Sequence, residues 1–282
     1  MTIHGLRQKY PLELLLELFK IPRSNFYYHI KNSAVASKYK DAQKQIRQVY
    51  DRHKGRFGYR RVTMAIRKMG SNLNHKTVFK LMKAMELKSL VRLKRYRSYK
   101  GQTGKVAPNI LNRDFKSEKP SQKWATDVSE FRVKDKKLFL SPIIDLFNGE
   151  IISYSLSESA NFKQVTQMLK TAFKKINKPE NLVLHSDQGW QYQMSEYQKM
   201  LKSKGITQSM SRKGNCLDNA VIENFFGTIK SELFYLNKYQ NINELKEDIK
   251  EYINYYNNDR IRLNLNGMSP AQYRAHHTII KS

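Results

Sequence analysis

The chain has 282 residues, is 40% hydrophobic and carries a formal net charge of +28. This hydrophobic content suffices for a packed core and excludes a disordered tail. The positive charge indicates a polyanionic partner, and because no long uncharged apolar run or signal peptide occurs, nucleic acid is favoured over a membrane surface. The single cysteine, Cys216, excludes an internal disulfide and disfavours a Cys-based zinc site, which is typical of a reducing, cytosolic compartment.

The basic residues are unevenly distributed along the chain. Residues 1–120 contain 29 Lys and Arg against 7 Asp and Glu, a net of +22, whereas residues 121–282 contain 23 against 17, a net of +6. The front of the chain is therefore predicted to supply most of the contact with DNA or RNA. The back has the charge balance of an ordinary α/β domain.

Residues 1–37 are predicted to form a separate helical segment. Residues 11–20 have the amphipathic pattern of a helix with a proline near its start, and Pro22 interrupts that pattern. Ser24 can cap a second short helix over residues 25–30. We expect a small helical hairpin that only packs, rather than a DNA-contacting motif.

Residues 38–100 predict a DNA-binding domain. Apolar residues at helical spacing indicate helices over residues 39–53, 59–69 and 75–86, and Asn74 can cap the third. Two helices joined by a short turn, the second with an outward basic face, fit a helix-turn-helix. A basic three-helix bundle with a solvated lysine face is the alternative. The outward residues of the third helix are Lys76, Lys80 and Lys83.

A basic extension follows the third helix. Residues 87–105 contain seven Lys and Arg and no acid, interleaved with Tyr96 and Tyr99, which is typical of contact with phosphates and bases. Residues 101–121, with two glycines and two prolines, predict a linker. The candidate DNA-binding residues in this half of the chain are Arg60, Arg61, Lys76, Lys80, Lys83, Arg92, Lys94, Arg95 and Arg97.

From residue 122 onward the pattern changes to strands. Three strands in succession precede an alternation of helix and strand, and Asn148-Gly149 is a hairpin-turn signal. This order predicts an α/β domain over residues 122–282, with a mixed sheet, helices packed against it, and a final helix opened by Ser269-Pro270. The strands are predicted at residues 124–133, 137–147, 150–156, 182–185 and 206–210, and the longer helices at residues 161–176, 195–204, 218–234 and 241–258.

Three acidic residues in this half are candidates for a metal site. Asp127 and Asp187 each follow a short apolar or β-favouring run, and Glu223 lies in a helical pattern with 35 residues between it and Asp187. Convergent carboxylates can hold two metal ions for phosphoryl transfer on nucleic acid. The alternatives are a cap, a salt bridge or a surface carboxylate. Asp145 is the main rival and is expected to be a structural hydrogen bonder near the site, and Asp218 is expected to be a helix N-cap.

Several motifs occur in order along almost the whole chain. They are Gly58-Tyr-Arg-Arg-Val62, Trp124-Ala-Thr-Asp127, His185-Ser-Asp187-Gln-Gly-Trp-Gln-Tyr192, Gly214-Asn-Cys-Leu-Asp-Asn-Ala220, Glu223-Asn-Phe-Phe-Gly-Thr-Ile-Lys230-Ser-Glu232 and Ser269-Pro270. With the 35-residue gap, the set resembles DDE transposases and retroviral integrases, and more closely the second-frame product of two-frame bacterial insertion sequences. The resemblance implies a ribonuclease-H-like core, a mixed sheet flanked by helices, preceded by an all-α helix-turn-helix region.

The resemblance also implies the chemistry. Members of this family cleave a DNA phosphodiester with water and join the freed 3′-hydroxyl to target DNA, using two Mg²⁺ or Mn²⁺ ions. Asp127, Asp187 and Glu223 would be the catalytic and metal-binding residues. Asn219 and Lys230, on the same helical stripe as Glu223, would contact DNA.

The expected partners are the ends of the element, target DNA and further copies of the chain, with an upstream-frame helix-turn-helix protein as a candidate. The expected location is the bacterial cytoplasm, at the nucleoid. Two other functions stay open: a catalytically inert or domesticated DNA-binding regulator, and a ribonuclease-H-like nuclease that never joins strands. His185 is expected to pack rather than bind metal, and Gln188 and Tyr192 are candidates for lining the DNA groove.

Overall fold

The computed structural model describes residues 2–28, 39–91, 106–176, 179–212 and 216–281. They belong to two compact units, Met1–Lys88 and Ser89–Ser282, and each unit has buried apolar side chains of its own. Among the described helices, none combines the length and the apolarity that crossing a bilayer requires.

The first unit begins with two short helices, α1 (Thr2–Leu6) and α2 (Leu12–Leu18). α2 starts at the predicted place, directly after a proline. Residues 23–28 are also helical, but this helix starts before Ser24, which lies inside the first turn and does not cap it as expected. The apolar side chains that pack between these segments are Ile3, Leu15, Leu16 and Phe26.

Three helices follow in the same unit: α3 (Lys40–Arg52), α4 (Tyr59–Lys68) and α5 (His75–Ala84). Each begins and ends within two residues of its predicted position. The turn between α4 and α5 forms because Gly70 takes a φ of +89° and the Asn74 side chain accepts a hydrogen bond, 2.9 Å long, from a backbone amide in the first turn of α5. The side chains buried by this arrangement include Ile46, Val62, Ile66, Val78 and Met82.

A mixed sheet of six strands forms the centre of the second unit. The strands are β1 (Lys123–Thr126), β2 (Ser129–Val133), β3 (Lys136–Asp145), β4 (Ile151–Ser157), β5 (Val183–Ser186) and β6 (Thr207–Met210). β3 pairs antiparallel with β4 along one edge and with β1 and β2 along the other. β1 also pairs in parallel with β5, and β5 in parallel with β6. The predicted α/β class with a mixed sheet is confirmed.

The single strand predicted over residues 124–133 is two strands, separated at Asp127 and Val128. The Asp127 carboxylate accepts a hydrogen bond from the Val128 backbone amide at 2.7 Å, which takes that amide out of the strand ladder. β1 and β2 still pair with the same edge of β3, so the prediction is wrong only at this break. The break leaves Asp127 just beyond the carboxyl end of β1.

Helices cover both faces of the sheet. Successive residues of a strand point to opposite faces, so one strand contributes side chains to the packing on both sides. Four of them are α6 (Phe162–Phe173), α7 (Ser195–Ser203), α8 (Ala220–Ile229) and α9 (Ile242–Asn258). Trp124 of β1 packs in the core formed with α6 and α7. Its neighbour Ala125 packs in the core formed with α8 and α9 on the opposite face.

The last helix, α10 (Pro270–Lys281), starts as predicted, with a proline in its first position. The Ser269 hydroxyl oxygen accepts a hydrogen bond from a backbone amide in the first turn, at 3.3 Å. Arg274 of α10 binds Asp145, the last residue of β3, at 2.5 Å, and Glu150, in the turn before β4, at 2.7 Å. The C-terminal helix is thereby fixed to the end of β3.

Asp145 is a structural hydrogen bonder, as expected, but it does not lie near the candidate site. It is fully buried and accepts hydrogen bonds from the backbone amides of Ser121 and Phe147. Its partner in the sheet is Trp124, three residues before Asp127. At about 3.3 Å per strand residue, the two carboxylates are attached to backbone positions roughly 10 Å apart along the strand direction.

Residues 106–121, expected to belong to a linker, pack against the second unit and are called the strap below. Leu111 is buried, and the backbone amides of Ile110 and Leu111 donate to the Ser209 hydroxyl oxygen of β6 at 3.0 and 3.2 Å. Residues 106–121 of the expected linker are therefore part of the folded unit.

The helix predicted over residues 218–234 divides into three parts. A 3₁₀ turn (Cys216–Asn219) precedes α8, and a π turn (Lys230–Phe234) follows it. The π turn is closed by a hydrogen bond from the Tyr235 amide to the Lys230 carbonyl at 2.8 Å. A π turn widens the helix by one residue, and such turns occur often at functional sites.

A buried ion pair fixes the π turn to the end of α9. Two guanidinium nitrogens of Arg260 donate to the Glu232 carboxylate at 2.8 and 2.7 Å, and the Tyr252 hydroxyl donates to it at 2.9 Å. The charged side chains are only 8% and 3% exposed. The bidentate geometry and the third donor satisfy the desolvated carboxylate, so removing either partner leaves a buried charge uncompensated.

Arg260→Met is expected to lower the free energy of unfolding by about 3–5 kcal/mol, because Glu232 remains buried without its partner. Chemical denaturation of the whole chain, followed by circular dichroism, measures this loss. Lys250→Met, in the exposed Lys250–Glu247 pair, is the matched control and should leave the unfolding midpoint unchanged. Equal midpoints for Arg260→Met and the wild type would contradict the role assigned to the pair.

Candidate active site

Asp127 and Asp187 lie side by side at the carboxyl ends of two neighbouring strands. β1 and β5 are parallel, and their register pairs Ala125 with His185. Continuing that register by two residues puts Asp127 opposite Asp187. Because adjacent strands are about 4.8 Å apart, backbone pairing alone brings the two carboxylates close together.

Glu223 approaches the same place from the first turn of α8. α8 contacts β1, and its apolar side packs in the core that includes Ala125. The buried residues on that side are Ile222, Phe225, Phe226 and Ile229. Glu223 lies next to this side and is half-buried. The sequence-predicted trio is thus brought to one region of the second unit.

The three carboxylates act on one another electrostatically. The pKa of Asp127 is raised well above its usual value, first by burial and then by the negative charge of Asp187, with a smaller effect of Glu223. Burial also raises the pKa of Asp187, and burial followed by the charge of Asp187 raises the pKa of Glu223. The charge of Asp187 therefore opposes the ionisation of both Asp127 and Glu223, and a nearby cation would relieve that repulsion.

Two of the carboxylates accept hydrogen bonds from backbone amides close to them in the chain. Asp127 Oδ1 accepts from the Val128 amide at 2.7 Å, and Asp187 Oδ1 accepts from the Gly189 amide at 2.9 Å. Within the described part of the chain, no three His, Cys, Asp or Glu side chains already form a cluster that could hold a metal ion. The chemistry of the donors fits Mg²⁺ or Mn²⁺, because these hard ions prefer carboxylate oxygens.

Two buried tyrosines adjoin the carboxylates. Tyr192 and Tyr197 are fully buried, with ring centroids 5.4 Å apart. Burial raises the pKa of Tyr192, and the charges of Asp127 and Asp187 raise it further. Tyr192 therefore supports the site from inside and does not line a groove, contrary to the expectation. Gln188, the other groove candidate, is half-buried and donates to a backbone carbonyl after β6 at 3.0 Å.

Lys230 and Asn219, the candidate DNA contacts of this unit, are less exposed than expected. The Lys230 ammonium lies 5.2 Å from the centroid of the Phe131 ring. Burial lowers the pKa of Lys230, while the charges of Asp127 and Glu130 act in the opposite direction. Asn219 is 4% exposed, and neither polar atom of its side chain has a hydrogen-bond partner among the described residues. Lys230 thus adjoins the acids, whereas Asn219 is buried.

Asp218 does not cap α8, contrary to the expectation, because its carboxylate is engaged elsewhere. It binds Arg212 and Arg113 at 2.9 Å each, and the Asn109 amide donates to it at 3.0 Å. The hydrogen bond from Arg212 is the main reason that the pKa of Asp218 lies well below its usual value. These contacts, called the Asp218 cluster below, tie the strap to the turn that precedes α8.

In the first unit, the candidate DNA-binding residues differ in exposure. Arg61 is half-buried, with its guanidinium 5.6 Å from the centroid of the Phe57 ring. The exposed candidates are Arg60, Lys76, Lys80 and Lys83. The candidates of the basic extension, which lie outside the described residues, are Arg92, Lys94, Arg95 and Arg97.

Protein-family models match most of the chain. One described as "Integrase core domain" matches residues 117–216, and a second with the same description matches residues 223–277. A model described as "HTH-like domain" matches residues 38–95. The helix-turn-helix region predicted from periodicity and charge, and the integrase-like core implied by the family resemblance, are both confirmed.

Similarity to whole proteins decides the family. The chain is 56% identical over 273 residues to "Putative transposase InsK for insertion sequence element IS150" of Escherichia coli (strain K12), covering 97% of this chain and 96% of that protein. The chain belongs to the insertion-sequence transposases. It is also 50% identical over 204 residues to an "Uncharacterized transposase-like protein" of Haemophilus influenzae, covering 72% of this chain and 93% of that protein.

Among solved structures, the HTLV-2 integrase catalytic core domain in complex with magnesium is similar to the transposase at a TM-score of 0.46 and 23% identity. The similarity covers 56% of this chain and 98% of that chain.

Two features of the transposase site were not predicted from its sequence. The sequence contains one indication of the tyrosine pair, since Tyr192 lies five residues after Asp187 in the motif that begins at His185. The Asp218 cluster had none, because Arg113 lies 105 residues before Asp218 along the chain. Pairing across such a distance follows from the fold and not from local spacing.

Asp127→Asn is expected to stabilise the transposase in metal-free buffer at neutral pH. The pKa of Asp127 is raised in the folded state, so its ionisation lowers stability as pH rises from the unfolded pKa of about 4 to the folded pKa, and the penalty vanishes below the unfolded value. The thermal midpoint at pH 7.5 should rise by roughly 3 °C, and the gain should shrink toward pH 4. Scanning calorimetry with EDTA at several pH values measures this.

Asp218→Asn is the matched variant, for which we expect the opposite change in thermal midpoint. The pKa of Asp218 is lowered in the folded state, so its charge stabilises folding above the unfolded pKa, and that contribution is lost as pH falls through the folded value. Its thermal midpoint at pH 7.5 should therefore fall below that of the wild type. A lowered midpoint for Asp127→Asn at the same pH would refute the repulsion between the acids.

Proposed function

We propose that this transposase cleaves phosphodiester bonds at the ends of its insertion element and joins the freed 3′-hydroxyl to target DNA. One observation carries the proposal. Asp127 and Asp187 follow adjacent parallel strands, and Glu223 lies on α8, close enough for its charge to raise the pKa of Asp127 and for the charge of Asp187 to raise the pKa of Glu223. Convergent carboxylates of this kind are what two-metal phosphoryl transfer requires.

Asp127, Asp187 and Glu223 would hold two Mg²⁺ or Mn²⁺ ions, which prefer carboxylate oxygens. When bound, such ions lower the pKa of the attacking oxygen and stabilise the leaving oxygen. The protein brings the three carboxylates together and holds Lys230 beside Asp127, where its ammonium can bind a DNA phosphate. No side chain needs to act as a nucleophile, because water and the 3′-hydroxyl attack in turn.

Recognition of the element's ends is proposed for the helix-turn-helix formed by α4 and α5 and for the basic extension. The exposed lysines of α5 suit phosphates, which fix a protein's position on a duplex. Self-association on DNA and association with an upstream-frame helix-turn-helix protein remain predictions. We also propose that the protein works at the nucleoid in the bacterial cytoplasm, where its DNA substrate would be found.

Strand transfer on oligonucleotides that carry the element's ends tests the mechanism. Asp127→Asn, Asp187→Asn and Glu223→Gln should each lower the rate by roughly a thousandfold, because metal-assisted charge stabilisation contributes several kcal/mol. All three variants should bind the same oligonucleotides as tightly as the wild type does, since the residues proposed to recognise the ends lie in the other unit and Lys230 is retained. Mg²⁺ should raise the thermal midpoint of the wild type but not that of Asp127→Asn.

Asp135→Asn is the matched control for these variants. Asp135 is an exposed carboxylate in the turn between β2 and β3, and its loss should leave strand transfer unchanged. Full activity of Asp127→Asn would exclude the two-metal proposal. A wild type that cleaves but never joins would point to a nuclease, and one that binds DNA without either reaction would point to an inert regulator.

Salt dependence tests the role of α5. Lys76→Gln and Lys80→Gln should each weaken binding to end DNA and reduce the slope of log affinity against log salt by about 1, because each lysine releases one counterion. Lys250→Gln, which removes a charge paired with Glu247 on α9, should leave the slope unchanged. Fluorescence anisotropy between about 50 and 200 mM salt gives the slopes. Unchanged slopes for both α5 variants would remove α5 from the DNA interface.

A further inference from the structure

The outward side of α5 carries an aromatic residue among its lysines. Phe79 is 51% exposed, although phenylalanine is usually buried. Its ring centroid lies 5.2 Å from that of Tyr59 in an edge contact, and the Tyr59 centroid lies 6.1 Å from that of His75. These three side chains, from the start of α4 and the first half of α5, are called the aromatic patch.

The helical position of Phe79 explains its exposure. The buried side of α5 consists of Val78, Leu81 and Met82. The outward side, at a period of 3.6 residues, consists of Lys76, Phe79, Lys80 and Lys83. α5 contains no Asp or Glu, so the apolar ring sits within a wholly positive helix surface.

The charge around the aromatic patch restricts its occupant. Lysines flank Phe79, and the Arg60 guanidinium lies 5.7 Å from the centroid of the Tyr59 ring. The occupant must therefore be a polyanion that offers an apolar group beside its phosphates. The major groove of DNA meets both conditions, because the C5-methyl group of thymine is an apolar group on a base edge.

We propose that Phe79 contacts thymine methyl groups in the ends of the element and thereby reads part of their sequence. The proposal rests on the DNA-binding role proposed for α5. Residues in the N-terminal part of a recognition helix contact base edges, and Phe79 is the fifth residue of α5. The lysines bind phosphates, which carry no sequence information, so the ring supplies a contact that depends on the base.

Tyr59 adds to the suitability of Phe79 for this role. The edge contact between the two rings restricts the Phe79 side chain before DNA arrives, so less conformational entropy is lost on binding. A helix lying in the groove of an intact duplex meets base edges rather than base faces. A methyl contact is therefore favoured over stacking on an unpaired base.

Replacing thymine by uracil tests the proposal, because it removes the methyl group and leaves base pairing intact. The full-length transposase would first select its preferred site from a random duplex library. That site would then be synthesised with thymine or with uracil, and the affinity of each duplex measured by fluorescence anisotropy. The wild type should bind the uracil duplex about three- to fivefold more weakly for each methyl group contacted, which is the contribution of one buried carbon group.

Three variants separate the ring from its surroundings. Phe79→Ser should bind the two duplexes equally, with an affinity near that of the wild type for the uracil duplex. Phe79→Leu retains an apolar side chain and should keep a preference for thymine. Lys80→Gln is the matched control: it should weaken binding to both duplexes by the same factor, keep the thymine preference and reduce the salt slope by about 1.

The possible failures are distinguishable. A wild type that selects a defined site but binds its thymine and uracil forms equally would overturn the role of Phe79 and leave end recognition intact. A preference for thymine retained by Phe79→Ser would assign the methyl contact to another residue and overturn the proposal. A wild type that selects no site at all would overturn sequence-specific recognition of the ends itself.

Discussion

The parallel pairing of β1 with β5 is the constraint on which the candidate site depends. Its register sets Asp127 opposite Asp187 at a strand spacing of about 4.8 Å. The two charges repel, as the pKa of Asp127 shows, which is raised by burial and then by the charge of Asp187. They stay together because separating them would break the pairing of the central strand and expose the cores on both faces of the sheet. The scaffold thus holds a charge arrangement that the acids alone would not adopt.

The third acid is positioned by restraining its helix at both ends. Before α8, the Asp218 cluster fixes the 3₁₀ turn, and after α8, the Glu232–Arg260 pair fixes the π turn. Between these two points, the buried side of α8 packs on the sheet. Glu223 and Lys230 therefore sit on a segment with little freedom to shift relative to Asp127. Ion pairs with buried acids thus restrain both ends of α8. They hold the third carboxylate of the candidate site in a fixed place.

The sequence predicted what local periodicity and motifs specify. Helices α3 to α5 and α9 were located to within two residues because their apolar residues recur at helical spacing and their caps are short-range. The order of strands and helices gave the fold class, and the motifs gave the family. The three acids were identified by the same motifs, and the electrostatic coupling in the structure supports their grouping without testing their roles.

The predictions were wrong where the contacts of one side chain, rather than the local residue pattern, determine the structure. Asp127 breaks a strand by binding the next amide in the chain, which alternation of apolar residues does not reveal. Asp218 has the residue type and position of a cap, but Arg212, six residues before it, and the distant Arg113 bind it instead. Residues 101–121 were predicted to be a linker because glycine and proline are typical of loops, whereas the strap, which begins at residue 106, is held by hydrogen bonds to β6.

The strap has a practical consequence for truncation. A fragment that starts at residue 117, where the match to the integrase core begins, would lack Asn109 and Arg113 and leave Asp218 with Arg212 alone. It would also leave the buried hydroxyl of Ser209 without the two backbone amides that donate to it. An autonomous catalytic fragment must therefore start at Asn109 or earlier, before the boundary that family similarity suggests.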